Sequence, residues 1–576
     1  MSKTKIVCLK QVKLGWKGEQ RVQEKNENKK NSYITDQLHQ MLVTAVKKTD
    51  YEIDEANINV EFNQQKHDFG DYWSNIALQL AKKYQKNPNL IAKEIVTKML
   101  KKDLITKITV LGPGFINFTI KIEAFYPILK AVLVQKETYA QLKPNNLKYN
   151  VEFVSANPTG LLHLGHARNA AIGSTLANIL EHRGYRVVRE YYINDAGNQI
   201  NILVNSIFVR YQNLCGANIS LPEDSYHGTE IISAAQAFKD KYQTKFYQKK
   251  LDEKNHKVFA EFGINYMLQE IKHDLATFGV EMEIWFSEKS LYQTGAIKKV
   301  LAKLTENGNS YQAEGATWLK STSFGDDKDR VIIKSDGSYT YMLPDLTYHD
   351  IKYHRSDLLI NIWGADHSGY IARIKSGMAA LNDDPNKLVI VPTQLVRLVK
   401  NGVEQKMSKR AGTSITMKEL LAIVGKDVLR YYMISRASES HLDIDIEIAT
   451  KKNQDNPVFY LQYAHARINQ IFSQAKKFSV AKTINLLTNK KEKELLILID
   501  EYNFVLNRIV ATLQPHLMAN YLQRLAKSFH SYYNECKIIN IDNQKLTDQR
   551  LSLVLTIKYL LFNGLKLIGV NAPDKM

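Results

Sequence analysis

The chain has 576 residues, 44% hydrophobic and 10% aromatic, which excludes wholesale disorder and, at about 100–200 residues per domain, calls for three or four domains. Its 78 Lys and Arg against 59 Asp and Glu leave a net charge of +19, which points first to a nucleic-acid partner. A general bias toward Lys, Asn, Ile and Tyr would spread the same lysines over a surface with no ligand. Cys8, Cys215 and Cys536 are far apart, which excludes a disulfide framework and a Cys-rich zinc site and fits a reducing, cytoplasmic location.

Residues 1–120 mix helical and strand patterns, as expected for a small α+β module. A natural break follows Gly112-Pro113-Gly114, beyond which Phe115–Ile120 alternates like a half-buried strand. From about residue 148 the texture changes. Tyr149–Val154 predicts a strand, Asn157–Gly160 a turn, Gly165–His182 a helix closed by Gly184, and Tyr185–Ile193 the next strand. That is one βαβ unit, which implies a parallel sheet with its ligand at the strand ends. Residues ~205–330, with a helical stretch at Phe259–Phe278, look like an insertion. Buried strands are expected again at Asp357–Trp363 and Leu388–Val396. Asn456-Pro457 starts an almost wholly helical end, residues 456–576, which carries about +8. No apolar run reaches the ~18 residues of a membrane span, since Leu551–Phe562 is interrupted by Lys558. The start, Met1–Lys10, lacks an apolar core and a cleavage site, so secretion is not expected.

Two short stretches carry chemistry. In Ala156–His166, His163 and His166 bracket Gly165 where the turn enters the helix. A helix N-terminus favours phosphate, glycine permits close approach, and two imidazoles can donate to phosphate oxygens. The plain alternative is a pair of helix-start histidines with capping roles. Some 240 residues later comes Lys406-Met407-Ser408-Lys409-Arg410-Ala411-Gly412, a basic loop able to close over a triphosphate. By itself it would be a solvated surface loop.

Together and in this order, the two stretches resemble the signature pair of class I aminoacyl-tRNA synthetases. Val151–Arg168, Tyr191–Gln199, Trp363–Tyr370 and Asp455–Arg467 narrow the resemblance to the bacterial arginyl-tRNA synthetases, in sequence order along essentially the whole chain. The resemblance implies a Rossmann-type parallel-sheet catalytic domain (121–455), a small N-terminal α+β module (1–120) and an all-α anticodon-binding domain (456–576). It implies ligation of L-arginine to tRNA(Arg) through an arginyl-adenylate, with ATP and Mg²⁺, no protein-bound metal, no membrane and a monomeric state.

Site residues follow by similarity. His163 and His166 serve the α-phosphate region and Lys409 the leaving pyrophosphate. Gly165, Gly364, Asp366, His367, Lys406, Met407 and Ser408 complete the ATP site. The family loop commonly ends in Ser, whereas position 410 is Arg. Glu152, Tyr341 and Asp345 match the guanidinium readers. A guanidinium presents five donors in one plane, which carboxylates match bidentately. Asp345 as a helix cap, beside Pro344, is the plain alternative. Ser155 and Asn157 match the residues that hold the α-amino and carboxylate groups, and His163 and His367 also border the amino acid. Tyr460, Tyr463 and Arg467 share one face of a helix and are candidates for tRNA, while Phe529 and Tyr533 are expected to be core.

Three other functions compete. The first is a class I synthetase for cysteine, glutamine or an aliphatic amino acid; the cysteine enzyme would want a zinc site that these cysteines cannot supply, and the aliphatic enzymes carry an editing insertion for which the ~125 residues between the half-sites are too few. A non-catalytic tRNA-binding relative would have lost signature residues. A small nucleotidylyltransferase would lack the long basic helical end.

Overall fold

The computed structural model describes residues 32–63, 69–99, 103–400, 402–404, 415–475 and 477–576. Cys8 and the basic loop with Lys406, Met407, Ser408, Lys409 and Arg410 lie outside the described residues.

The first module is a four-stranded antiparallel sheet in the order Glu61–Phe62, Tyr72–Ser74, Phe115–Ile120, Ile105–Leu111. Helices Tyr33–Val46, Ile76–Tyr84 and Pro88–Lys98 accompany it. Gly112–Gly114 does not end a unit. It turns a hairpin in which Leu111 pairs with Phe115, and its two glycines take positive φ. Alternation marks a strand, but it does not say which strand lies across the turn.

The central domain is built on five parallel strands, β1 Lys148–Glu152, β2 Arg186–Ile193, β3 Ile284–Ser287, β4 Leu358–Gly364 and β5 Leu388–Thr393. Their order is β5-β4-β1-β2-β3, and every pairing is parallel. The chain departs from β1 in both directions, so the carboxyl ends of β1 and β4 flank the switch point where such sheets bind ligands. The helix Leu164–His182 crosses from β1 to β2 and is buried along most of its length. It lies close to the sheet because a side chain at Gly173 would overlap Phe153, with Cβ 2.3 Å from Cγ. Gly184 (φ +85°) ends the crossing helix, and a Cβ there would meet the Lys143 carbonyl oxygen at 2.4 Å.

Two strand expectations change. The 205–330 stretch is not one insertion, because β3 lies within it and joins β2. Only four residues long and half-buried throughout, β3 lacks the apolar run that announces an interior strand. Around it stand three helices, Asn198–Leu214, Thr229–Tyr242 and Glu253–Thr277, and an antiparallel sheet of Ser310–Ala313, Ala316–Leu319 and Arg330–Ile333. The helices share an aromatic core that includes Tyr211, Phe238 and Phe259. Leu388–Val396 is likewise two strands. Val396–Lys400 pairs with Leu442–Asp445, and the Gln394 carbonyl at the break is claimed by Arg168 Nη1 at 2.8 Å.

The helical end comprises Pro457–Gln474, Lys490–Thr512, His516–Glu535 and Gln544–Leu567. Asn456 caps the first, its Oδ1 accepting from the Val458 N–H, with Pro457 at the first helical position. Lys490–Thr512 is the joint of the molecule. Its Asp500 accepts from the Tyr72 hydroxyl (2.8 Å) and Lys493 pairs with Asp71 (2.8 Å), both of the first module. Its Asn503 and Asn507 accept from Arg183, at the end of the crossing helix. Among the described residues no helix is long and apolar enough to cross a membrane.

Candidate active site

His163 is the N-cap of the crossing helix. Its Nδ1 accepts the Gly165 N–H (3.1 Å), while its own N–H donates to His166 Nδ1 (3.2 Å). The rings stack with centroids 3.7 Å apart. A capping box built from two histidines satisfies helix-start donors that would otherwise be orphaned. It also fixes the tautomers. An imidazole nitrogen that accepts carries no proton, so each neutral ring holds its proton on Nε2. Burial pushes His166 down to about 3, with His163 beside it adding to the shift, and burial lowers His163 as well. The helix start therefore carries two neutral imidazoles with Nε2–H donors that capping does not consume. Capping, set against phosphate binding in the sequence, uses Nδ1 of each ring and leaves Nε2 for another partner. Gly165 has a local reason too, since a Cβ there would lie 3.0 Å from His163 Cε1.

Ahead of the helix the backbone is strained. Val154 (φ +71°) and Ser155 (φ +41°) both lie in the left-handed region, and the Ser155 N–H donates to the Phe153 carbonyl. Such a γ-turn is costly for a β-branched residue and persists only where the surroundings impose it. Asn169 imposes it here. Its Oδ1 accepts the Val154 N–H (2.7 Å) and its Nδ2 donates to the Ile362 carbonyl of β4 (2.8 Å). Ser155 Oγ donates to Glu152 Oε1 (3.0 Å) and accepts the Tyr192 N–H (3.1 Å). Asn157, two residues on, is exposed.

The opposite wall is the helix Met342–Arg355, with Tyr341 at its N-cap position and largely exposed. Asp345 lies in the first turn but caps nothing. Its carboxylate stands 3.1 Å from His349 Nδ1. Burial would raise the Asp345 carboxyl, yet His349, the Tyr370 hydroxyl and Lys352 together hold it below its usual value. Glu152, at the end of β1, is buried and accepts from Lys352 Nζ at 2.6 Å. Glu288, directly after β3, is a further buried carboxyl. It accepts from the Tyr292 hydroxyl (3.3 Å) and, with the Asn194 amide in the orientation that satisfies both its ends, from Asn194 (2.8 Å). Burial raises it, and Asp345 is among the charges that act on it.

β4 ends at Gly364, where a Cβ would overlap Asp366 Oδ1 at 2.4 Å. The short turn Ala365–Tyr370 follows, with Asp366 and His367 exposed and 3.6 Å apart. The second signature enters through the residues that follow it. Thr416, seven positions beyond Lys409, forms an antiparallel β-bridge with His163, and the Met417 N–H donates to the Leu162 carbonyl (2.7 Å). The chain leaving the basic loop is thus stitched to the histidine turn. One acid group among the described residues has metal-ligand spacing: Asp350, His354 and Asp383. Lys303 already bridges its two carboxylates, at 3.0 and 3.3 Å.

A cleft of about 940 Å³ lies in the helical end, lined by Tyr460, Tyr463, Arg467, Lys527 and His530 among others. Tyr463 stacks on His530 (5.8 Å), and Arg467 lies over Tyr463 (5.2 Å) and Tyr533 (4.1 Å). Phe529 is core as expected. Tyr533 is only half-buried and carries a cation, because the helix turns that position to the core's edge.

Three family descriptions match the chain in succession. They are the arginyl tRNA synthetase N terminal domain over 36–120, the class I (R) tRNA synthetase catalytic domain over 128–435, and the DALR anticodon binding domain over 461–576. An arginine–tRNA ligase of Ureaplasma parvum is 44% identical over 517 residues, spanning 88% of this chain and 93% of that protein. One of Listeria monocytogenes is 44% identical over 551 residues, spanning 94% and 98%.

The chain belongs to the arginyl-tRNA synthetase family.

A Thermus thermophilus arginyl-tRNA synthetase structure shares the fold, with TM-score 0.76 at 20% identity over 94% of this chain and all of that one. In this family member, sequence reasoning missed Asn169, Glu288, His349 and Lys352, which hold the backbone and carboxylates of the candidate site. Glu288 had no usable signal, because the strand before it, β3, lacks the apolar run that would announce it. The polar residues of the Met342–Arg355 helix had none, because what they meet comes from distant strands.

Proposed function

We propose that the protein joins L-arginine to tRNA(Arg) through an arginyl-adenylate, with ATP entering as its magnesium complex. In the first step an arginine carboxylate oxygen bonds to the α-phosphorus and the bond to the bridging oxygen breaks, releasing pyrophosphate. A carboxylate of pKa ~3.5 needs no general base. What the reaction needs is alignment and donors for the charge on the phosphates. The observation that carries this reading is the histidine capping box with its two spare Nε2–H donors, paired with Thr416, which follows the Lys406–Lys409 signature by seven positions in the chain.

In this reading His163 and His166 donate to the α-phosphate region and Lys409 to the departing pyrophosphate. Gly165, Gly364, Asp366, His367, Lys406, Met407 and Ser408 border ATP. Asp345 and Glu152, with Tyr341, receive the guanidinium. Ser155, Asn157, His163 and His367 hold the α-amino and carboxylate end. In the second step a ribose hydroxyl of the terminal adenosine, the 2′ in class I, attacks the arginyl carbonyl carbon and AMP leaves. Tyr460, Tyr463 and Arg467 offer stacking faces and a cation to an unstacked anticodon base. The protein acts as a monomer in the cytoplasm.

Pyrophosphate exchange with each amino acid, with and without total tRNA, tests the reading. Exchange with arginine alone is expected, since lysine would leave buried acceptors unpaired, a difference worth ~10⁴–10⁵ in such sites. Exchange with another amino acid, or with none in either condition, overturns it. Charging is also expected to fall steeply with salt, because phosphate contacts release counterions.

A further inference from the structure

Glu152 and Asn361 are direct neighbours across β1 and β4, so both side chains reach the same face of the sheet. The helix Met342–Arg355 packs over that face. Lys352, fully buried, inserts its ammonium between the two, donating to Glu152 Oε2 (2.6 Å) and to Asn361 Oδ1 (2.8 Å). An ammonium has donors only, so it dictates which end of the Asn361 amide faces it. The Asn361 NH₂ then points the other way, to His349 Nε2 at 3.0 Å. A nitrogen that receives an N–H carries no proton, so the neutral ring of His349 must hold its proton on Nδ1. That Nδ1–H lies 2.9 Å from the Asp345 carbonyl oxygen and 3.1 Å from the Asp345 carboxylate. One buried cation thus sets, through two relays, the group that orients Asp345, while directly holding Glu152.

We propose that Lys352 is a positioning residue for arginine recognition: it locks Glu152 and, by way of Asn361 and the Nδ1–H form of His349, aims Asp345. The proposal rests on Asp345 being the guanidinium acceptor. The arrangement has a physical rationale. Glu152, left buried without a cation, would take up a proton, and Lys352 is also among the groups that hold Asp345 low. With Lys352 pairing Glu152, Asp345 remains ionised and charge-matched to a single guanidinium. None of the three relay residues touches the ligand. Lys352, His349 and Asn361 are each at most 1% exposed.

The experiment is pyrophosphate exchange by the full chain with total tRNA present, reading KM for arginine and for ATP separately, with melting temperatures in parallel. The variants are Lys352→Met, Asn361→Leu, His349→Leu, His349→Asn and, as reference, Asp345→Asn. Lys352→Met, Asn361→Leu and His349→Leu are expected to raise the arginine KM by about tenfold or more, the effect of one lost buried hydrogen bond, with the ATP KM within about twofold. His349→Asn is expected to recover most of the loss, because its amide N–H takes the place of Nδ1–H. If Lys352→Met fails to fold, Asn361→Leu and the His349 pair carry the test.

Equal rises in both KM values would reduce the network to a structural role and overturn the proposal. So would a His349→Asn enzyme no better than His349→Leu, or relay variants with normal arginine KM beside a crippled Asp345→Asn. An Asp345→Asn enzyme with normal arginine kinetics overturns instead the assignment of the arginine site on which the proposal stands.

Discussion

Two walls flank the carboxyl ends of β1 and β4, and they are ordered by different forces. The histidine wall is held by backbone hydrogen bonds within four residues of chain, and its rings are neutral. The carboxylate wall is held by buried charge, Lys352 against Glu152 and the Nδ1–H of His349 beside Asp345. On the proposed reading the contrast follows the cargo. A triphosphate brings its own charge and needs donors already in place, whereas a guanidinium needs a fixed anion, and a buried anion needs a partner.

The largest test removes the anion. Asp345→Ala and Asp345→Asn are each expected to lower arginine-dependent exchange by about 10²–10³-fold, as for the loss of one member of a buried charge pair. Near-normal kinetics in both would take Asp345 out of the site. Next, His166→Ala is expected to lower kcat by roughly 10²–10³-fold, the usual worth of a transition-state donor, with the arginine KM little changed. A loss confined to the arginine KM would erase the distinction between the walls.

A smaller effect is expected of Gly165→Ala, about a tenfold fall in kcat, since the added Cβ would press on the His163 ring at 3.0 Å and disturb the stack. Wild-type rates would mean that the stacked geometry is not the reactive one. The smallest effects are on stability. Burial, then His163, push His166 down to about 3. Between about pH 6.5 and 3 the unfolded chain binds a proton that the folded chain refuses, so stability falls as pH falls through that window. His166→Gln should shrink the drop in melting temperature between pH 7 and pH 5. The buried Asp500, at the joint with the first module, runs the other way. Burial raises it to about 7, against the help of Ser32 and Tyr72. Between about pH 4 and 7 the folded chain keeps a proton that the unfolded chain has lost, so stability falls as pH rises through that window. Asp500→Asn should flatten the change in melting temperature between pH 5 and pH 8, and an unchanged profile would show that the carboxyl is not titrating there.

The sequence by itself determined what is local: the helix behind His163, its end at Gly184, the Asn456-Pro457 start, and the order of the three units. These rest on hydrogen bonds and periodicities that span a few residues. Only the tertiary structure decided that β3 belongs to the sheet, that Gly112–Gly114 turns within a hairpin, and that Tyr533 lies under the Arg467 guanidinium. It alone revealed Lys352, whose partner Glu152 is 200 residues away. A lysine in a helix reads as solvated surface until the fold closes two strands over it, and no local pattern records which distant carboxylate will be there when it does.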